Sequence, residues 1–275
     1  APASPIAGRQ SPNAGQPGHV KHVVCEMGGK NAVIIDESAD LDEAVLAVRH
    51  SAFGFQGQKC SACSRCIVVG SAEVYEHFLH RLVEATRALV IGDPTRPGTD
   101  VGPVIDLDAK RKIEHYIERG KAQSRLALAM EVPAALRDGF GDSRLLPYVG
   151  PHIFADVKPE HDLARDEVFG PVLAVMRAST FDEALALAND SPYKLTGGVF
   201  SRKPSHLDRA RREFRVGNLY LNRGITGALV ARQPFGGFGM SGTGSKAGGL
   251  EYLLHFVEPR AVCENAMRRG FAPEE

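Results

Sequence analysis

The sequence predicts an α/β fold with a mainly parallel sheet and helices on both faces. Two observations carry this. Short apolar, β-branched runs such as Ala32-Val33-Ile34-Ile35 and Ile67-Val68-Val69 alternate with amphipathic stretches of helical length. The composition, 43% hydrophobic and 24% charged over 275 residues, suits a chain that buries a sizeable core.

The elements run in order. Residues 1–18, rich in Pro, Gly, Ser and Ala without periodicity, are expected to be a disordered tail or linker remnant. They carry no charged and apolar leader pattern. A short strand is expected over 20–25, a tight turn at Met27-Gly28-Gly29-Lys30 and a buried strand over 32–35. A helix then opens at Ser38 to Glu43, where acidic residues suit the macrodipole. Its apolar stripe is Leu41, Ala44, Val45, Val48 and Ala52. Ser71 is positioned to cap a helix over 72–89 and Thr180 one over 180–190. Further helices are expected at 107–123 and 204–214, and strands at 152–156, 172–177, 196–200 and 217–221. Residues 124–150 read as irregular, and 124–146 suggest no role. After a Gly-rich loop, Pro234 to Gly244, residues 255–262 read as an edge strand able to pair with another subunit. The domain reading is therefore a catalytic unit over 19–254 and an oligomerisation strand and tail over 255–275.

Lys+Arg and Asp+Glu are equal at 33 each, so the formal net charge is zero. No global field favours nucleic acid or an anionic membrane, and a small-molecule substrate is expected. No run approaches the ~20 apolar residues of a membrane span. Five cysteines, three within seven residues, do not make a disulfide framework and point to free thiols in a reducing cytoplasm.

Cys60 in Phe55-Gln56-Gly57-Gln58-Lys59-Cys60-Ser61-Ala62 is a candidate nucleophile. A neighbouring lysine raises the thiolate fraction, and a Gly-Gln turn lets the cysteine N–H face a reacting oxygen. Taken alone, a cysteine is more often a small buried hydrophobe. Cys60, Cys63 and Cys66 also spell C-x2-C-x2-C, but a metal or cluster needs a fourth thiolate, and Cys25 and Cys263 are distant. No metal is expected. Glu26, beside an apolar strand, is a candidate general base if buried there. Glu167 and Phe169 place an acid and an aromatic two apart before a strand, a pair that suits sugar hydroxyls and a planar ring.

Together these segments resemble the aldehyde dehydrogenase family. Glu26-Met-Gly-Gly-Lys-Asn31 resembles its glutamate signature and Phe55 to Arg65 its cysteine signature, with Glu26 and Cys60 34 positions apart. Glu167-Val-Phe-Gly-Pro, Gly217-Asn-Leu-Tyr-Leu-Asn-Arg and Pro234-Phe-Gly-Gly stand in the family's order, from about Gln16 to about Ala266. Gly57-Gln-Lys-Cys-Ser-Ala with Asn222-Arg-Gly-Ile-Thr-Gly-Ala-Leu-Val is similar to the Δ1-pyrroline-5-carboxylate (glutamate γ-semialdehyde) branch. Gly242-Thr-Gly-Ser-Lys-Ala-Gly-Gly points the same way. The resemblance implies NAD-dependent oxidation of glutamate γ-semialdehyde to glutamate through a Cys60 thioester, with Glu26 as base. It implies that Glu167 and Phe169 hold the nicotinamide ribose and ring. It further implies that Ser61, Thr226, Gly227 and Ala228 take the substrate carboxylate, and that Phe235 walls the chain.

Family members are about twice as long, and a Gly-rich dinucleotide turn between strand and helix does not occur here. The resemblance therefore implies a thiol-bearing half that works as a homo-oligomer or with a complementing N-terminal half. The alternative is a non-catalytic, partner-dependent assembly subunit. Lys194 stands where the family has glycine, and a strained turn is expected there.

Overall fold

The computed structural model describes residues 23–137 and 147–265. The expected tail at 1–18 lies outside them, as do 138–146 and 266–275. The chain begins with β1 (Cys25–Glu26), β2 (Asn31–Ile35), α1 (Leu41–Phe53), β3 (Cys63–Val69), α2 (Ala72–Arg87) and α3 (Leu107–Gln123). Next come β4 (Arg125–Ala129), α4 (Ala134–Arg137), β5 (His152–Ala155), α5 (Asp162–Arg165), β6 (Val172–Ala178) and α6 (Phe181–Asn189). The remaining elements are β7 (Tyr193–Lys194), β8 (Thr196–Phe200), α7 (Pro204–Glu213), β9 (Asn218–Leu221), β10 (Phe238–Gly239) and β11 (Gly242–Thr243).

Among the described residues, seven strands form one sheet in the order β4-β5-β6-β3-β2-β8-β9. Every pairing in it is parallel except β4 with β5. Side chains alternate between two cores. Ile34, Ile67, Ala174, Met176 and Val199 meet Ile113 and Ile117 of α3 and Ala184 and Leu185 of α6. Val33, Ile35, Cys66, Val68 and Val175 meet Val45 and Val48 of α1 and Phe78 and Leu82 of α2. Strands covered on both faces need apolar side chains at every position, which is why these runs are continuous.

The helix starts obey local chemistry. Asp40 caps α1 by accepting from the Asp42 and Glu43 N–H groups. Ser71 accepts from Val74 N–H at 3.3 Å and Thr180 from Glu183 N–H at 3.2 Å, as their positions suggested.

Four expectations need correction. Of the strand expected over 20–25, only Cys25 lies in one among the described residues, paired with Glu26 as the two-residue β1, because the ladder there rests on β11 alone. Residues 125–129 form β4 at the antiparallel edge, where half-exposed Arg-Leu-Ala-Leu-Ala carries too weak an alternation to stand out. Leu250–Phe256 is a 3-10 turn, and 257–265 form no strand; with Pro259 lacking a donor, no ladder forms there among the described residues. Lys194 adopts no left-handed conformation: it sits in β7, and its ammonium donates to Asn189 O at 2.5 Å, capping the end of α6.

Candidate active site

Four segments converge at the N-terminal edge of the parallel strands: the approaches to β2, β3, β6 and β8. The cysteine turn comes first. After α1 the chain reverses through Phe55, Gln56 and Gly57, all left-handed at φ 56°, 56° and 66°. For the first two, this costs about 1 kcal/mol each. Gly57 is required for a second reason: a Cβ there would lie 2.3 Å from Gly170 O. Asn31, buried at the start of β2, anchors the far side of the turn. Its Nδ2 donates to Cys60 O (2.7 Å) and Ala62 O (2.8 Å), and its Oδ1 accepts Thr196 N–H (3.0 Å). One amide thus ties β2 and β8 to the turn that carries Cys60.

Cys60 is half-buried, and burial pushes its thiol up. The Ser61 N–H opposes this, the Glu167 and Glu26 carboxylates add to it, and the cysteine's own N–H opposes it. Lys59 is not among the main groups acting on the thiol; its ammonium lies over the Phe55 ring, 6.0 Å from the centroid. All five cysteines are free. Cys63 and Cys66 are buried in the α1/α2 core, where desolvation pushes the Cys63 thiol up to about 12 and Cys66 well up. They pack as small hydrophobes.

Glu26 is exposed, not buried, which corrects the sequence expectation. It is held from behind by the Gly-rich loop. β1 pairs antiparallel with β11, Glu26 opposite Gly242, and Met27 N–H donates to Ser241 O at 3.0 Å. A Cβ on Gly242 would meet Cys25 O at 2.2 Å, so the close approach needs glycine.

Glu167 rests on the Gly28-Gly29 backbone. Its Oε1 accepts Gly29 N–H at 2.8 Å, and a Cβ on Gly28 would fall 2.3 Å from its Oε2. α3 steadies this loop from outside: Lys112 Nζ donates to Glu167 O and Tyr116 OH to Asp166 Oδ2, both at 3.0 Å. Phe169, left-handed at φ 58° and 39% exposed, presents its ring beside the carboxylate.

Glu26, Cys60, Glu167, Phe169 and Phe235 line one cavity of about 310 Å³. Met27, Gly28, Leu195, Gly236 and Ser241 complete it. The other proposed carboxylate ligands are placed differently. Ser61 is buried behind Cys60, its carbonyl accepting from Thr196 Oγ1 at 3.4 Å. Thr226, Gly227 and Ala228 do not line this cavity. Their loop packs on α1, where Ser51 Oγ accepts Ile225 N–H at 3.2 Å.

Behind the cavity lie two buried cations that sequence reasoning missed. Arg65 donates to Lys30 O (3.1 and 2.9 Å), Leu187 O (2.9 Å) and Ala188 O (3.0 Å), neutralising the C-terminal end of α6. Lys30 is 3% exposed; burial, then Arg65, lower its ammonium to about 7 against the pull of Asp166, Glu167 and Cys63. A charge inside an apolar run was the available signal.

The model of the aldehyde dehydrogenase family matches residues 4–262. The chain belongs to this family. It is 49% identical over 251 residues to 1-pyrroline-5-carboxylate dehydrogenase of Geobacillus thermodenitrificans, covering 90% of this chain and 47% of that one. The structure is similar to proline utilization A from Bdellovibrio bacteriovorus, with TM-score 0.85 and 51% identity over 94% of this chain and 26% of that chain. It is also similar to the 1-pyrroline-5-carboxylate dehydrogenase from Thermus with bound NAD: TM-score 0.80, 47% identity, 92% of this chain and 46% of that one. The chain thus spans about half the length of the 1-pyrroline-5-carboxylate dehydrogenases it matches.

Proposed function

We propose that this chain supplies the thiol-bearing part of a site that oxidises L-glutamate γ-semialdehyde to glutamate, working with the further sequence its longer relatives carry. The observation that carries this reading is one cavity joining a half-buried thiol, Cys60, to an exposed carboxylate, Glu26. The family and the 1-pyrroline-5-carboxylate dehydrogenase relatives support the reaction type and the substrate.

Cys60 attacks the aldehyde carbon as thiolate. Because burial, and after it the Glu167 and Glu26 carboxylates, hold the thiol protonated, Glu26 is the natural acceptor of its proton as substrate enters. The oxyanion of the thiohemiacetal is held in part by the Cys60 N–H. The residues present fit a nicotinamide dinucleotide. Glu167, anchored by Gly29, offers an acceptor to a ribose diol, and the exposed Phe169 ring offers a flat neighbour to the nicotinamide. When bound, NAD supplies the two-electron acceptor that turns the thiohemiacetal into a Cys60 thioester. Glu26, exposed to solvent, first gives up the thiol's proton to bulk water; it then takes a proton from the attacking water, whose oxygen adds to the thioester carbon and displaces the Cys60 thiolate to release the acid. The family likeness gives the substrate carboxylate to Ser61, Thr226, Gly227 and Ala228, none of which lines the Cys60 cavity, so it would bind beyond that cavity's present wall. A second copy is proposed to cover the exposed row Leu250, Leu253, Leu254 and Phe256, each at least 65% exposed.

The test is NADH formation from glutamate γ-semialdehyde, in the presence of the longer relatives' cofactor-binding segment. Cys60→Ala is expected to abolish it, and Glu26→Gln to slow the first equivalent of NADH and to block turnover after it. Turnover that survives Cys60→Ala sinks the reading.

A further inference from the structure

We propose that Ser241 is a positioning residue for Glu167, its hydroxyl acting through the Gly28–Gly29 peptide plane. The inference rests on the reading of Cys60, Glu26 and Glu167 given above and extends it to a residue outside the three motifs that carry them.

The geometry is a relay. Lys194 N–H donates to Ser241 Oγ at 2.9 Å, and Ser241 Oγ donates to Gly28 O at 2.8 Å. Across the same rigid peptide, Gly29 N–H donates to Glu167 Oε1 at 2.8 Å. The plane is thus bonded at both ends, by the Gly-rich loop on one side and by Glu167 on the other. Ser241 also holds the base: its carbonyl accepts Met27 N–H at 3.0 Å, and the next residue, Gly242, pairs with Glu26. Ser241 is 1% exposed, so none of these bonds is exchanged for water at low cost. The plane cannot tilt freely, because Glu167 fills the space at Gly28 and Cys60 O the space at Gly29. A hydrogen-bond chain polarised in one direction, with no slack on either side, transmits a shift at the Ser241 hydroxyl to Glu167.

The experiment reads Glu167 at the thiol it acts on. Alkylation of Cys60 by iodoacetamide is tracked against pH, by mass spectrometry of the Cys60 peptide. Freed of its anchor, Glu167 moves away from the thiol. Ser241→Ala is expected to move the inflection down by about half a pH unit, a roughly threefold faster reaction below it. Glu167→Gln should shift it the same way, the double variant should fall short of the sum, and Ser241→Thr should restore the wild-type profile. A Ser241→Ala profile that overlays wild type, or shifts that add in full, overturns the proposal. Should Ser241→Ala not fold, amide exchange in wild type and Glu167→Gln decides. The relay requires that losing the carboxylate weaken protection at both Gly29 and Lys194; unchanged Lys194 protection overturns it. If turnover survives Cys60→Ala, the nucleophile reading fails, and the exchange experiment still tests the relay.

Discussion

The two edges of the parallel sheet are both polar, but they are built differently. At the C-terminal edge, Asp36 after β2 accepts from Ser38 Oγ (2.6 Å) and Ser201 Oγ (2.7 Å), with His206 Nδ1 3.2 Å away and stacked on Phe181. Asn222 closes the group by accepting Ser201 N–H and donating to Ser201 O. This network is inward-looking: the Ser38 and Ser201 hydroxyls satisfy Asp36 Oδ2, while Asp36 Oδ1 and His206 Nδ1 face each other at 3.2 Å without a hydrogen bond, and the group closes the seam between β2 and β8. At the N-terminal edge, the strands are entered from tight turns that leave Cys60, Glu26, Glu167 and Phe169 facing a shared space. Open α/β sheets usually bind ligands at the carboxyl ends of their strands. Here that edge is sealed by side chains, and the glycine turns of the opposite edge make the cavity.

If the comparison holds, perturbing the N-terminal edge moves reactivity and stability together, whereas the C-terminal edge moves stability alone. Asn31→Ala should have the largest effect. Stranding the buried Cys60 O, Ala62 O and Thr196 N–H costs about 3–5 kcal/mol, read by chemical denaturation, and the Cys60 alkylation profile should change with it. Lys30→Met comes next. Its folded pKa, about 7, lies below the ordinary 10.5, so the folded state binds fewer protons than the unfolded one. Wild-type stability from this group therefore rises with pH between about 7 and 10.5 and is least below 7. The methionine variant should lack that rise and gain on the order of 3 kcal/mol at pH 7.

Asp36→Asn should cost about 1–2 kcal/mol while leaving Cys60 alkylation unchanged. A change in the alkylation profile would break the comparison. Burial alone would raise this carboxyl, but the Ser38 and Ser201 hydroxyls and His206 hold it below its ordinary range. Its stabilisation is present above that range and is lost as pH falls through the lowered value, so the variant should unfold less steeply in acid. The smallest effect belongs to Lys194→Gly: about 0.5–1 kcal/mol from the lost cap on α6, with the relay through its N–H intact.

The sheet and its helices were legible because buried parallel strands are apolar throughout and their helices carry clean stripes and caps. β4 was missed because an edge strand with one half-covered face has little pattern to show. Residues 255–262 have the composition of a strand, but composition does not supply a neighbour to pair with. At the site, the side chains that face the cavity sit in linear motifs and could be named. The ones that hold them could not. Ser241 meets Gly28 across 213 positions, Arg65 meets Ala188 across 123, and Asn31 meets Thr196 across 165. Glu26 was expected to be buried because its neighbours are apolar, but a two-residue strand on a glycine loop leaves it outside.

That two-residue pairing of β1 with β11 has a temporal consequence. It joins Glu26 to Gly242, near opposite ends of the described chain, whereas the sheet's central strands are complete by Phe200. Contacts of such long sequence separation close late. As the polypeptide leaves the ribosome, the sheet can form while Glu26 still hangs free, and the base is set in place only once the glycine loop has emerged. A chain stopped between Leu221 and Gly242 would keep its sheet and its thiol but leave the base without its backing strand.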